Sequence, residues 1–265
     1  MNIPGHLTSE ENPRVAVLRT RMDAFYQTTQ DYSAFQHANH LPEQWGYVRQ
    51  AILSVLKERS SCRVLEIGAG RSGFAEFVQD IRSSLHYTAQ DVTRSNQAHL
   101  QEAADAVHFG SVAELDGEYD VIFSSFVLEH ISDPRSTLEK LFTSLPTGGK
   151  LFIFCPRYDV PFYLSHSADH YGMARRLGVG LSLTAARLWA LVTRQPLFFI
   201  HTDPAIFHIP WDRDRDAIHW ASLWDLRLFF SRRGRTERLK VRSGNLKDWI
   251  VKNVLQINIS VTRVS

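Results

Sequence analysis

Residues 63–74 read Arg63-Val64-Leu65-Glu66-Ile67-Gly68-Ala69-Gly70-Arg71-Ser72-Gly73-Phe74, and the fold class follows from how this stretch changes period. Arg63 to Ile67 has the length and composition of a short buried strand. Gly68, Gly70 and Gly73 interrupt it in the spacing GxGxxG. Beyond them Phe74, Phe77, Val78 and Ile81 recur at i, i+3, i+4 and i+7, which is one face of a helix. The order is strand, glycine turn, helix. Such a turn lets a ligand approach the backbone closely, because a residue without Cβ leaves room and accepts positive φ.

The same alternation extends on both sides. Val48, Ile52, Val55 and Leu56 predict a helix within Gly46 to Arg59. Downstream, Ser84 to Gln90 is a strand ending at Asp91, Ser95 to Ala104 is compatible with helix, and Ala106 to Phe109 is a short strand. Tyr119 to Ser124 is a further apolar run. Asp133-Pro134 opens a helix carrying Leu138, Leu141, Phe142 and Leu145, which Pro146-Thr147-Gly148-Gly149 closes before a strand from Lys150 to Phe154. Strands and helices alternating in units of roughly 30 residues imply a mainly parallel sheet covered on both faces. After Pro156 the rhythm fails for about sixty residues around a helix expected from Leu181 to Arg194, and a connection of that length usually covers something. It resumes with a helix from Ser222 to Arg232 and two strands, Arg238 to Val241 and Val254 to Val261.

Composition narrows the function classes. A chain of 265 residues that is 44% hydrophobic can bury a sizeable core. Thirty Lys and Arg against 28 Asp and Glu leave a net charge of +2, too little to point to nucleic acid. No run of ~18 to 20 apolar residues exists to span a membrane, and Met1 to Glu11 lacks the pattern of a signal peptide, so a cytoplasmic protein is expected. Cys62 and Cys155 each lie beside an apolar run and read as reduced, buried thiols.

Glu66 qualifies the glycine turn. It stands two residues before Gly68, where a carboxylate would repel a pyrophosphate but not a cationic ligand. Asp91 ends the second strand, 91 − 66 = 25 residues later, where a carboxylate can accept both ribose hydroxyls.

Val64-Leu65-Glu66-Ile67-Gly68-Ala69-Gly70, Asp91, Tyr119-Asp120-Val121-Ile122-Phe123-Ser124, Leu128-Glu129-His130-Ile131 and Leu145-Pro146-Thr147-Gly148-Gly149 together resemble the ordered motifs of class I S-adenosylmethionine-dependent methyltransferases. Within that superfamily the chain resembles the small-molecule group containing the quinone-biosynthesis enzymes. The resemblance implies an α/β Rossmann-like fold, with a seven-stranded, mainly parallel sheet, an antiparallel last strand and an inserted lid after the fifth strand. The resemblance covers 46–156, the cofactor-binding core, and more weakly the C-terminal part of the core at 216–265; outside it the residues are read as an N-terminal helical lid at 1–45 and an acceptor lid at 157–215. S-adenosyl-L-methionine is the implied cofactor. Glu66 would organise the turn near its amino group, Gly68, Ala69 and Gly70 would pass its methionine part, and Asp91 with Val92 would hold the ribose side. Ser111 and Val112 would meet adenine, and Ser124 and Ser125 the methionine end.

If the acceptor is a hydroxyl, methyl transfer needs a base as well as positioning, and histidine suits that role near neutral pH. His130 follows the fourth strand on the turn that faces the transferred methyl in relatives, and His219, before the helix at Ser222, is the second candidate. His201, Asp203, His208 and Asp212 match no ligand spacing on one regular element, so no metal is expected. Arg157, Tyr158, Asp159, Phe162 and Tyr163, with Tyr32 and Trp45, are expected to form an aromatic and polar acceptor lid. The helix from Leu181 could pack on its own domain, pair two subunits in a homodimer or rest on a membrane surface. The expected activity is methylation of a small molecule or glycan, with oxygen favoured by the available histidines and by the absence of an Asn/Asp-Pro-Pro-aromatic signature. The alternative is a catalytically silent, cofactor-binding member serving as a partner or scaffold.

Overall fold

The computed structural model describes residues 13–28 and 41–264. Tyr32, one of the expected lid residues, lies outside them. The chain runs α1 (Pro13–Thr28), α2 (Pro42–Leu56), β1 (Cys62–Ile67), α3 (Phe74–Phe77), β2 (Leu85–Asp91), α4 (Gln97–Ala103), β3 (Ala106–Phe109), β4 (Val121–Ser125), α5 (Pro134–Thr143), β5 (Lys150–Pro156), α6 (Met173–Thr193), α7 (Leu223–Phe230), β6 (Gly234–Arg238), α8 (Leu246–Asn253) and β7 (Gln256–Arg263). The seven strands form one sheet in the order β3-β2-β1-β4-β5-β7-β6. β1 to β5 pair in parallel, and β7 runs antiparallel between β5 and β6.

Alternation along the strands divides the core in two. Leu65, Ile67, Ile122, Leu151 and Ile153 face the layer holding α5 and α7, and Val64, Val121, Phe123, Phe152 and Phe154 face the layer holding α2 and α3. Asp120 ties the strand starts together, because its carboxylate accepts the Arg63 N–H at 2.9 Å and pairs with Arg59 at 2.7 Å. Helix starts follow the capping chemistry of the sequence: Asp133 accepts the Ser136 N–H at α5, and Ser222 accepts the Asp225 N–H at α7.

Four elements depart from expectation. The helix after the glycine turn is one turn long and passes into a 3₁₀ segment, Gln79–Ser84, a stretch whose Asp80, Ser83 and Ser84 are weak helix formers. α6 begins at Met173 rather than Leu181. Gly178 and Gly180 weaken its sequence signal, yet Gly180 is where Phe162 packs, 3.4 Å from where a Cβ would stand. The edge strand is Gly234–Arg238 rather than Arg238–Val241, because its exposed Arg235 and Glu237 disguise it as a loop. α8, capped by Asn245, was not expected.

Trp45 is not a lid residue. It is fully buried beneath the sheet, with ring centroids 5.7 Å from Phe74 and from Phe77. Trp45→Ala should therefore lower the unfolding free energy by about 3–5 kcal/mol, read by urea denaturation. A change within about 0.5 kcal/mol would mean the ring lies on the surface.

Candidate functional site

The carboxyl ends of β1, β2, β3 and β4 open into a cleft of about 680 Å³, inside the ~300–1,000 Å³ range of small-molecule sites. Gly68, with φ +63°, and Gly70, with φ +54°, form its floor in a conformation that residues with a Cβ rarely adopt. A Cβ on Gly68 would lie 2.3 Å from Val127 Cγ2, so the space above this glycine belongs to the β4 turn. Nothing lies closer than 3.9 Å to a Cβ on Gly70.

Two side chains of β2 hold the turn. Gln90 accepts the Gly68 N–H at 3.2 Å and donates to the Gly110 carbonyl at 2.7 Å, linking the turn to the loop after β3. Asp91, nearly buried, accepts the Gly70 N–H at 2.8 Å on one oxygen and the Thr93 N–H at 2.9 Å on the other. Burial pushes its pKa up against those bonds. Behind the turn, Glu66 is buried and accepts the Tyr87 hydroxyl. Burial raises its pKa to about 8, against the Tyr87 and Ser72 hydrogen bonds.

Glu66, Gly68, Ala69, Gly70, Asp91, Val92, Ser111, Val112 and Ser125 all line the cleft, and Ser124 is buried behind it. Val92 is exposed into the opening, whereas Ser125 presents a buried hydroxyl with no hydrogen-bond partner.

The opposite wall comes from elements far apart in the chain. His130 stands on the 3₁₀ turn after β4, with its side chain one-quarter exposed. Its Nδ1 lies 3.3 Å from Asp216 Oδ2, which also accepts the Tyr26 hydroxyl of α1 at 2.9 Å. Burial disfavours charge on His130, but Asp216, Glu129 and Asp214 outweigh it and hold its pKa above the ordinary value. Glu129 beside it is fully buried and lines the cleft, and neither carboxyl oxygen has a hydrogen-bond partner. Burial pushes its pKa up to about 8.

His219 does not line the cleft. It is fully buried with Nδ1 3.0 Å from the Leu128 carbonyl, and burial lowers its pKa to about 4, so it is neutral. Its main-chain N–H and that of Ile218 both donate to the Glu129 carbonyl at 2.8 Å, which fixes the turn bearing His130. Arg157, Tyr158, Asp159, Phe162 and Tyr163 also lie outside the lining. Arg19, Met22, Asp23 and Tyr26 of α1 and Trp211, Arg213, Asp214, Asp216 and Ile218 of one loop take that place. Of the histidine and aspartate group, Asp203 and His208 pair at 2.6 Å, and the fold adds His170 at 3.3 Å from Asp203. His201 turns inward to Tyr171, and Asp212 pairs with Arg215.

Residues 35–234 match the model of a family described as a methyltransferase domain. An uncharacterized protein of Synechococcus sp. is 34% identical over 103 residues, a match that covers 35% of this chain and only 25% of that protein. Among solved structures, an S-adenosylmethionine dependent methyltransferase from Mesorhizobium loti superposes with a TM-score of 0.52 at 12% identity, covering 83% of this chain and 98% of that one. The CurJ carbon methyltransferase gives 0.50 at 14% identity, covering 97% of this chain and 62% of that one. Both likenesses are of fold.

The raised pKa of Glu66 has a consequence for stability. From its ordinary value of 4.5 up to about 8, the folded, ligand-free protein binds a proton at Glu66 that the unfolded chain has released, so this residue makes stability fall as pH rises. Glu66→Gln should flatten that decline in urea denaturation series between about pH 5 and pH 8. An unchanged slope would show that Glu66 is ionised in the folded protein.

Proposed function

This chain belongs to the methyltransferase-domain family, and from that premise we propose that it transfers a methyl group from S-adenosyl-L-methionine to a hydroxyl of a small molecule or glycan. The observation that carries this reading is a single cleft with two unlike ends. One end is the glycine turn with Glu66, Asp91 and the unpartnered Ser125 hydroxyl, and the other is the Tyr26–Asp216–His130 chain.

The residues present fit the cofactor. Gly68 and Gly70 offer backbone at positive φ, and Asp91 keeps lone pairs for ribose hydroxyls after accepting its two N–H groups. Buried carboxyls at Glu66 and Glu129 favour a cationic ligand over a pyrophosphate. Val92 and Val112 supply apolar wall for a base. When bound, the cofactor supplies an electrophilic methyl group on a positively charged sulfur.

The remaining work falls to this chain's own side chains. Asp216 orients His130 through Nδ1 and stabilises the imidazolium formed when the ring takes the proton of the acceptor hydroxyl. Tyr26 fixes Asp216 in turn and stands edge-on to the His130 ring, with centroids 6.5 Å apart. His219 serves as a positioning residue, holding the 128–130 turn from behind.

Titration with S-adenosylhomocysteine should show binding to the wild type and an affinity barely changed in His130→Ala. Turnover by that variant, measured with labelled cofactor across sugars, phenols, acids and amines, should drop by roughly 10²- to 10⁴-fold. Because His130 must be neutral to act and its pKa is raised, the rate should climb with pH through a limb above about 6.5, and Asp216→Asn should move that limb lower. Failure to bind S-adenosylhomocysteine would remove the cofactor assignment, and full activity of His130→Ala would remove the base.

A further inference from the structure

α6 is a helix of 21 residues whose inner face is fastened to the domain. Leu183, Ala186 and Ala190 are buried, and Arg187, also buried, donates to the main-chain carbonyls of Tyr158 and Trp220. Its outer face carries Met173, Leu177, Leu181, Leu188, Trp189 and Val192, all exposed, with Val192 at 74% and Trp189 at 68%. At 100° per residue these positions lie opposite the buried ones, and those between them are small and uncharged. Between Arg176 and Arg194 the solvent side of the helix therefore carries no charge for about 25 Å of length, the one charged residue there, Arg187, being buried.

Charge is displaced to the ends. From His170 to Thr202 there is no Asp or Glu, while Arg175 stands in the first turn, over the Tyr171 ring and 4.0 Å from Asp203, and Arg194 follows the last, both exposed. Phe162, exposed and packed beside Gly180, broadens the apolar surface near the helix start. We propose that the outer face of α6 docks on an anionic phospholipid surface, with its leucines, Trp189 and Val192 in the acyl boundary and the terminal arginines at the level of the phosphates.

Charge favours lipid over a second copy of the chain. Two α6 faces packed against each other would bring arginine ends together with no acid between His170 and Thr202 to pair them, whereas lipid phosphates meet both ends. A lipid surface demands no matching partner. Basic ends flanking an apolar face, with an exposed tryptophan at its edge, suit the boundary between headgroups and chains. Among the described residues no helix is long and apolar enough to cross a membrane, so contact would be with the surface alone.

The test is flotation of the full chain with vesicles of phosphatidylcholine alone and of phosphatidylcholine mixed with phosphatidylglycerol. The wild type should float with the mixed vesicles, less with the neutral ones and less again in high salt. Leu181→Glu/Leu188→Glu should cut vesicle-bound protein at least tenfold while leaving the thermal midpoint and S-adenosylhomocysteine affinity unchanged, since both side chains are half exposed. Arg175→Gln/Arg194→Gln should erase the preference for anionic vesicles. The proposal falls if the wild type stays unbound with both vesicle types, or if the double glutamate variant floats as well as the wild type. It falls equally if light scattering shows a wild-type dimer that this variant dissociates, because the face would then belong to a second copy.

Discussion

The pull of β2 on the β1 turn is the interaction on which the cleft depends. Gln90 and Asp91 take the N–H groups of Gly68 and Gly70, groups that a turn at positive φ leaves without ladder partners. Because Gln90 also holds Gly110, the ends of β1, β2 and β3 are joined into one floor. Val127 completes the joint from β4 by occupying the space a Gly68 side chain would need. Asp91 is therefore a structural brace in addition to its proposed role at the ribose. Replacing it would leave two N–H groups unsatisfied as well as any bonds to a ligand.

Electrostatics give the cleft its preference. Glu66 and Glu129 are buried where ionisation is costly, and each pKa is lifted to about 8. A ligand bearing positive charge offsets that cost, whereas a phosphate adds to it. The one-turn α3 fits the same preference. Four residues gather little macrodipole, so the turn lacks the long helix N-terminus that commonly binds anions.

How much was legible follows from periodicity. The parallel core was readable because glycines at 68, 70, 73, 110 and 117 punctuate the chain after β1 and after β3, and because β1 and β4 are short buried runs. The residues on the glycine-turn side of the cleft were readable as neighbours, since each stands within a few residues of a strand end. The opposite wall was not. Tyr26 and Asp216 meet across 190 positions, and their stretches show no period that would mark them as neighbours. Local aromatic density drew attention instead to Trp45, which the fold spends on its core, and to Phe162, which it leaves outside the cleft.

The insertion nonetheless shapes the cleft, through the backbone. The Glu129 carbonyl accepts the N–H groups of both Ile218 and His219, and the His219 ring returns a bond to the Leu128 carbonyl. Three hydrogen bonds thus lock the His130 turn to the end of the loop that presents Asp214 and Asp216. The same segment is pinned to the inserted helix, because buried Arg187 holds the carbonyl of Trp220, the residue after His219. A displacement of α6 would be passed through Trp220 to the geometry of His130 and Asp216, with no side chain of α6 lining the cleft itself. The residue types fit that coupling: an arginine held by two carbonyls and a neutral buried histidine resist movement, whereas the exposed leucines on the far side of the helix leave its outer face free to meet another surface.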